Sequence, residues 1–451
     1  MINMKHALNS TQLEGYTVTI VGAGFTGLSA AYELAKRGIR VKVIEADNEL
    51  GGLASAFDVG GEILDKFYHH WFTNDHAVMD LISELGIENQ VEINPTNTGM
   101  YYSNNFYKLS TPLDLLKFSP LAFLNRIRLG LLTLRVRSVK NWMKLENKSA
   151  KEWLLSLGGR SVYKVVWEPL LKGKFGPYAE DVSAVWFWKK LALRGSSRDN
   201  AGREQLAYFK GGFIKVAEEL SRRIEALGGR IELGNPVSSI DYNEGKWSIK
   251  AAKGDTESDR VIITTALPLI AKMLKSWASE NYLLKLNRIK YIGNICLVLE
   301  LDRPLSSTYW LNVNDPSFPF VGIIEHTNFE KASTYGGKHI VYLSKYLPHT
   351  DTLYGMSKDE FLLYTLPYLK TMFPEFNEKW IQKHHLWKAR WSQPVVEKHY
   401  SKMIPAEDGP IEGLHICSMA QIYPEDRGTN YAIKKGRSIG ARLAELCQNK
   451  S

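Results

Sequence analysis

The chain has 451 residues, 44% of them hydrophobic, which is enough for two or three domains with full cores. Its formal net charge of +9 favours anionic partners, and its three cysteines (Cys296, Cys417, Cys447) lack both C-x-x-C and zinc spacing. These features argue against a disulfide scaffold and for reduced thiols in a cytoplasmic protein; no apolar run reaches the ~18 residues of a membrane-spanning helix.

Met1 to Gly15 is mostly polar, with no signal-peptide pattern. Thr17 to Val21 is an apolar, β-branched run that reads as a buried parallel strand. Gly22, Gly24 and Gly27 follow in G-x-G-x-x-G spacing, and a helical pattern runs from Leu28 to Lys36. Gly38 ends it, and a second strand, Val41 to Ile44, finishes on Glu45 and Ala46. Gly22 supplies the tight turn, Gly24 close backbone approach to a pyrophosphate, and Gly27 close packing of helix on strand. The helix start at Phe25 and Thr26 aims free N–H groups at the phosphates, and Glu45, 18 residues after Gly27, can accept from a ribose. The context predicts a dinucleotide site. Asp47, Glu49, Gly51, Gly52, Leu53 and Ala54 then resemble the E-x-x-x-x-x-G-G pattern of FAD enzymes such as amine oxidases. That resemblance implies FAD rather than NAD, with Gly52, Leu53 and Ala54 beside the flavin.

The next stretch, Gly60 to Asp75, carries adjacent His69 and His70 among aromatics. Neighbours on a strand point to opposite faces and share a metal poorly, so one packed and one exposed histidine competes with a ligand pair. The segment resembles the G-A-H-I-F-H-T-N-D stretch of UDP-galactopyranose mutases, which implies that His69 lies against the flavin. Phe72 stands where that family has its second histidine, and Phe67-Tyr68 replace Gly-Ala. Thr98 to Asn105 reads as a hairpin, and Pro112 to Arg198 as mainly helical. Within it, 124–144 alternates Leu124, Ile127, Leu131, Leu134 and Trp142 with Arg126, Arg128, Arg135, Arg137, Lys140 and Lys144. A helix of this kind can lie on an anionic membrane or face a phosphate, or can pack on a core with a solvated basic face. Glu168 to Gly176, followed by Trp186, Phe187 and Trp188, is similar to a family segment that caps the substrate cavity.

Phe209-Lys210-Gly211-Gly212 precedes an amphipathic helix, Ile214 to Leu227, and strand signals at 230–233, 237–242, 247–251 and 260–265. The order resembles the second cofactor block of the amine oxidase superfamily, which implies that Val237 offers its backbone to the adenine. Residues 289–391 read as β-rich, with helices at Lys358 to Met372 and Glu375 to His384. Glu325 and His326 sit at a strand end; they are candidates for general acid and base, against an ordinary polar strand terminus.

A strand-like run, Leu414 to Ser418, leads through Tyr423, Asp426 and Arg427 into Gly428, Thr429, Asn430, Tyr431 and Ala432, and then into a helix, Lys434 to Cys447. Together with Gln393-Pro394 and Tyr400…Pro405, this resembles the end of the same superfamily. It implies that Gly428 to Ala432 meet the isoalloxazine and that Tyr423 or Arg427 reaches flavin or substrate. The chain is identified as resembling the FAD-dependent amine oxidase superfamily, nearest its protoporphyrinogen-oxidase-like and UDP-galactopyranose-mutase-like branches. The implied fold class is α/β: a discontinuous Rossmann-like FAD-binding domain (15–75, 205–285, 392–447), a helical cap (76–204) and an inserted α+β substrate domain (286–391). The expected function is hydride transfer from an organic substrate to flavin; the alternative is non-redox flavin chemistry on a nucleotide sugar, with Arg194, Arg198 and Arg203 or the helix arginines holding its diphosphate. The expected partners are a phosphorylated or lipidic small molecule and the inner face of a membrane through 124–144. No metal site and no nucleic-acid motif is expected.

Overall fold

The computed structural model describes residues 16–108, 111–194 and 204–448, so Arg198 and Arg203, residues 1–15 and the side chain of Arg194 lie outside the described residues. A five-stranded parallel sheet runs in the order Arg230–Glu232, Arg40–Ile44, Thr17–Val21, Arg260–Ile263, Leu414–Ile416. Three distant stretches of chain therefore share one sheet. Its central strand pairs Val18 with Val41 on one side and Arg260 on the other. Val18, Ile20, Val41, Val43 and Ile262 are buried, the near-continuous apolar pattern expected of a sheet covered on both faces.

Helix Phe25–Ala35 covers one face and is itself crossed by the long helix Thr429–Gln448. The crossing is close because of Gly436 and Gly440. A Cβ on Gly436 would lie 2.2 Å from the carbonyl oxygen of Thr26, and one on Gly440 2.7 Å from that of Ala30. Helix Ile214–Ala226 packs on the same region through Val216, Ala217, Leu220 and Ile224, spaced for one helical face.

A second, seven-stranded sheet runs in the order Ile381–Pro394, Tyr291–Leu301, His339–Leu347, Gly322–Glu325, Trp310–Val313, Thr98–Tyr102, Asn105–Lys108. It is antiparallel except where Trp310–Val313 meets Thr98–Tyr102. The hairpin expected near residue 100 is present, turning at Ser103 and Asn104 with positive φ of 51° and 58°, and it extends this sheet. The expected helix Glu375 to His384 is not formed. From Ile381 the chain is a strand of 14 residues, in register with the fully buried strand Tyr291–Leu301. Long-range pairing decides it: His385 Nε2 lies 2.8 Å from Glu300 Oε1, so the strand supplies a partner for a fully buried carboxylate. Lys358–Met372 is helical as expected, opened by a reciprocal Ser357–Glu360 cap.

Between the hairpin and strand Gln205–Phe209 the chain forms helices Pro112–Lys117, Phe123–Arg137, Ala150–Val162, Glu168–Phe175 and Ala184–Arg194. The helix expected over 124–144 ends at Arg137, and Trp142–Leu145 forms a separate 3₁₀ turn. It buries Leu129, Leu132 and Val136 and leaves its opposite stripe in solvent. No helix among the described residues is long and apolar enough to cross a membrane.

Candidate active site

The glycine loop is built by sterics. Gly22 has φ +109°, donates its N–H to Ile44 O at 2.8 Å, and could carry a Cβ only 2.5 Å from Thr264 Oγ1. A Cβ on Gly27 would fall 1.9 Å from the carbonyl oxygen of Gly22, so only glycine lets this helix start so near the strand. Gly24 differs: a Cβ there meets nothing within 4 Å. The second glycine pair runs alongside, with Gly51 N–H donating to Ala23 O at 3.0 Å and the Cβ position of Gly52 3.4 Å from Gly24 Cα. Helix Phe25–Ala35 begins at Gly24 with no side-chain cap and no acid in its first turn. Its N–H donors and positive end face the space beside Gly24, a cradle for a pyrophosphate.

Glu45 fastens this loop from the side. Its Oε2 accepts from Ala23 N–H at 2.7 Å and its Oε1 from Asp47 N–H at 2.9 Å, which leaves lone pairs on both oxygens for ribose hydroxyls. Ala46 is exposed beside it, and Asn235 N–H, donating to Glu45 O at 2.8 Å, brings the segment before Val237 to the same edge. The Phe25 side chain is buried in the core, so only its backbone can serve a ligand; the Thr26 carbonyl is covered by Gly436, and Ala54 is buried in the turn that presents Gly52 and Leu53.

The start of the C-terminal helix is fixed to the stretch after His69. Trp71 Nε1 donates to Thr429 Oγ1 at 2.6 Å, and Val78 N–H donates to Asn430 Oδ1 at 3.1 Å. Trp71 stacks on Phe213 at 3.8 Å, and His69 lies 5.4 Å from the same ring. The Nδ1 atom of His69 is buried without a hydrogen-bond partner. Burial, and secondarily the charge of Arg427, bring the His69 pKa down to about 4, so the imidazole is neutral at pH 7. Gly428 is exposed with open space around its Cβ position, and Ala432 N–H closes the turn on Gly428 O at 2.9 Å.

His69, Trp71 and 428–431 form one wall of a cavity of about 290 Å³. Trp167, Trp186 and Phe187 of the helical region form the roof, and Trp310 and Tyr346 of the seven-stranded sheet form the opposite wall. Charge is concentrated at one end. Asp426 accepts from Trp186 Nε1 at 2.8 Å and from Lys190 Nζ at 3.0 Å; although burial opposes ionisation, Lys190, Lys174 and Arg427 hold its carboxyl well below the usual range. Arg427 donates from Nε to Gln393 Oε1 at 3.0 Å and from Nη2 to the Tyr346 hydroxyl at 3.2 Å.

Three expected catalytic residues lie elsewhere. Glu325 is fully buried, accepting from Leu305 N–H at 2.9 Å, Ser306 N–H at 2.6 Å and the Ser306 hydroxyl at 3.0 Å, and burial pushes it up to about 7. His326 is buried against Tyr335, Nε2 to hydroxyl 2.8 Å, and is pushed down to about 3 by burial. Neither lines the cavity; the pair is a polar strand terminus. The Tyr423 hydroxyl donates to Glu146 Oε1 at 3.0 Å beneath Trp142, so it joins the end of the parallel sheet to the helical region. His70 lines the cavity with His69 but pairs with the Tyr309 hydroxyl at 3.2 Å, and among the described residues no three His, Cys, Asp or Glu side chains cluster to hold a metal. Sequence reasoning missed Trp71, Lys174 and Lys190 as site residues. Local sequence held no signal for Trp71 or Lys190, because their partners lie more than 200 residues away.

A glycine loop between a parallel strand and an uncapped helix, an acid ending the next strand and a C-terminal helix packed across the first define a dinucleotide-binding fold. A model of the flavin containing amine oxidoreductase family matches residues 25–437, and the chain belongs to this family of FAD-dependent oxidoreductases. Protoporphyrinogen oxidase 2 of Arabidopsis thaliana is 24% identical over 303 residues, which is 58% of this chain and 59% of the relative, so the match spans little more than half of that protein. A 15-cis-phytoene desaturase of Glycine max is 22% identical over 446 residues, covering 90% of this chain and 75% of the relative. Reduced UDP-galactopyranose mutase has the same fold, with a TM-score of 0.73 at 14% identity over 96% of this chain and 94% of that one.

Proposed function

We propose that the protein oxidises an organic small molecule by hydride transfer to FAD, with the cavity between Trp71, Trp186 and Trp310 as the substrate chamber. The observation that carries this is the unpartnered Nδ1 of His69 in the wall that the cavity shares with the start of helix Thr429–Gln448. Gly22 to Gly27, Glu45, Ala46, Gly52 to Ala54, Val237 and Gly428 to Ala432 would hold the cofactor, which supplies the hydride acceptor. The helix N-terminus at Thr429 favours negative charge on whatever lies before it, and the bond from Trp71 fixes that end in place. Neutral His69 donates or accepts one hydrogen bond without adding charge. The aromatic roof keeps water from the reacting atoms.

The experiment is an absorbance spectrum of the purified protein followed by anaerobic titration with substrate pools. Bleaching of flavin bands by one pool supports the oxidase reading; a flavin that no pool reduces, but that isomerises a nucleotide sugar once dithionite-reduced, contradicts it. The mutase alternative gains little here. Arg128, Arg135 and Arg137 are exposed, Arg126 is engaged by the carbonyls of Leu121 at 2.7 Å and Leu116 at 2.5 Å, and the chamber is aromatic.

We also infer peripheral contact with an anionic bilayer through helix Phe123–Arg137. Leu124 and Leu134 are 72% and 62% exposed, with Phe123, Ile127 and Leu131 on the same stripe and Leu113 and Leu116 beside it. Exposed Arg135, Arg137, Lys140 and Lys144 border the apolar stripe, the charge complement of an anionic headgroup layer. Sedimentation with liposomes containing an anionic lipid tests this. The triple variant Leu124→Ser, Leu131→Ser, Leu134→Ser is expected to stay in the supernatant, and unchanged pelleting would refute the assignment.

A further inference from the structure

We propose that the chamber selects substrates bearing an oxyanion on a flat apolar body, and that Arg427 is the oxyanion receptor; this rests on the flavoenzyme reading above. Among the described residues, three cationic side chains, Lys174, Lys190 and Arg427, line the cavity against two carboxylates, Asp75 and Asp426. The carboxylates are already committed. Asp426 takes Trp186 and Lys190, while Asp75 accepts Phe72 N–H at 2.9 Å and is drawn toward its neutral form, up to about 6, by burial. Arg427 is less fully engaged. Its hydrogen-bond partners, Gln393 and Tyr346, are neutral acceptors that orient the guanidinium, Nη1 bonds to none of the described residues, and its counter-charge, Asp426, is shared with Lys190 and Lys174. A planar guanidinium held in this way is suited to a carboxylate or phosphate oxygen.

The rest of the chamber defines the body of the ligand. Lys174 lies 5.0 Å from the Trp186 ring and 5.2 Å from that of Tyr346, so the positive end merges into aromatic walls. Trp167, Phe187 and Trp310 continue those walls, and a volume of about 290 Å³ accommodates one or two fused rings. Among the described residues, a protonated amine of the same shape would meet more cations than carboxylates and no uncommitted acid. The chamber therefore opposes charged amines, although the family takes its name from them.

The test uses holoprotein titrated with 2-naphthoate, 2-naphthyl phosphate and 2-naphthylmethylamine, read by perturbation of the flavin bands and by tryptophan fluorescence. At least one anion is expected to bind about tenfold or more tightly than the amine, the gap that one charge-assisted hydrogen bond provides. Which anion binds more tightly distinguishes a carboxylate from a phosphate ligand. Arg427→Gln is expected to remove that preference and Arg427→Lys to keep part of it, both with flavin retained. An amine that binds as tightly as the anions, or an Arg427→Gln protein with unchanged preference, overturns the proposal. Protein that carries no flavin would sink the flavoenzyme reading instead, while the fluorescence titration would still decide the anion preference.

Discussion

The ends of the two sheets treat their polar groups in opposite ways. Where the parallel sheet gives way to helices Phe25–Ala35 and Thr429–Gln448, the first helix lacks a side-chain cap, Gly24 and Gly428 face open space, and His69 Nδ1 has no partner. Where strand Gly322–Glu325 ends in the other sheet, Glu325 takes three donors and His326 is closed against Tyr335. Both places hold a histidine with a depressed pKa, and residue type alone does not separate them. Partners do. His326 is satisfied within the fold, whereas His69 keeps an unpartnered Nδ1 and lines the cavity.

That contrast can be broken or sharpened by mutation. The largest effect is expected at Gly27, where any side chain begins 1.9 Å from a backbone oxygen: Gly27→Leu should cost at least about 3 kcal/mol and remove flavin, read by denaturant unfolding and absorbance. A native-like midpoint would contradict the close packing. His326 should matter for stability and not for chemistry. Its folded pKa of about 3 lies below the ordinary value, so the unfolded chain binds the extra proton between about pH 6.5 and 3, and stability falls as pH drops through that window. At pH 4 this amounts to on the order of 3 kcal/mol, and His326→Gln should flatten the acid limb of the melting profile while substrate-driven flavin reduction continues. Loss of reduction with a normal melting curve would restore His326 as a site residue. The smallest effect is expected from Trp71→Phe, which keeps a ring against Phe213 but deletes the bond to Thr429: about 1 kcal/mol, seen as a several-fold weaker hold on FAD in an equilibrium titration.

The parts legible from sequence are those whose cause is local. Thr17 to Glu45 carries its own strand, turn and helix signals within one short segment, and the Lys358–Met372 helix has its cap in adjacent residues. The parts misread depend on distant partners. Ile381 to His384 holds no helix because the strand Tyr291–Leu301 is its neighbour, and Lys190 becomes a site residue only through Asp426, 236 positions later. Glu325 and His326 looked like an acid–base pair because a strand end exposes side chains by default; the donors that occupy Glu325 come from residues 305 and 306, which no spacing rule connects to it.

Gly24 is where fold and function separate most cleanly, since a side chain there has room in the protein yet points into the cradle assigned to the cofactor. The decisive measurement is the flavin absorbance of a Gly24→Leu variant alongside its thermal melt. The expected result is a colourless protein whose apo form melts with that of the wild type. A yellow variant with native flavin content would contradict the placement of FAD at this loop.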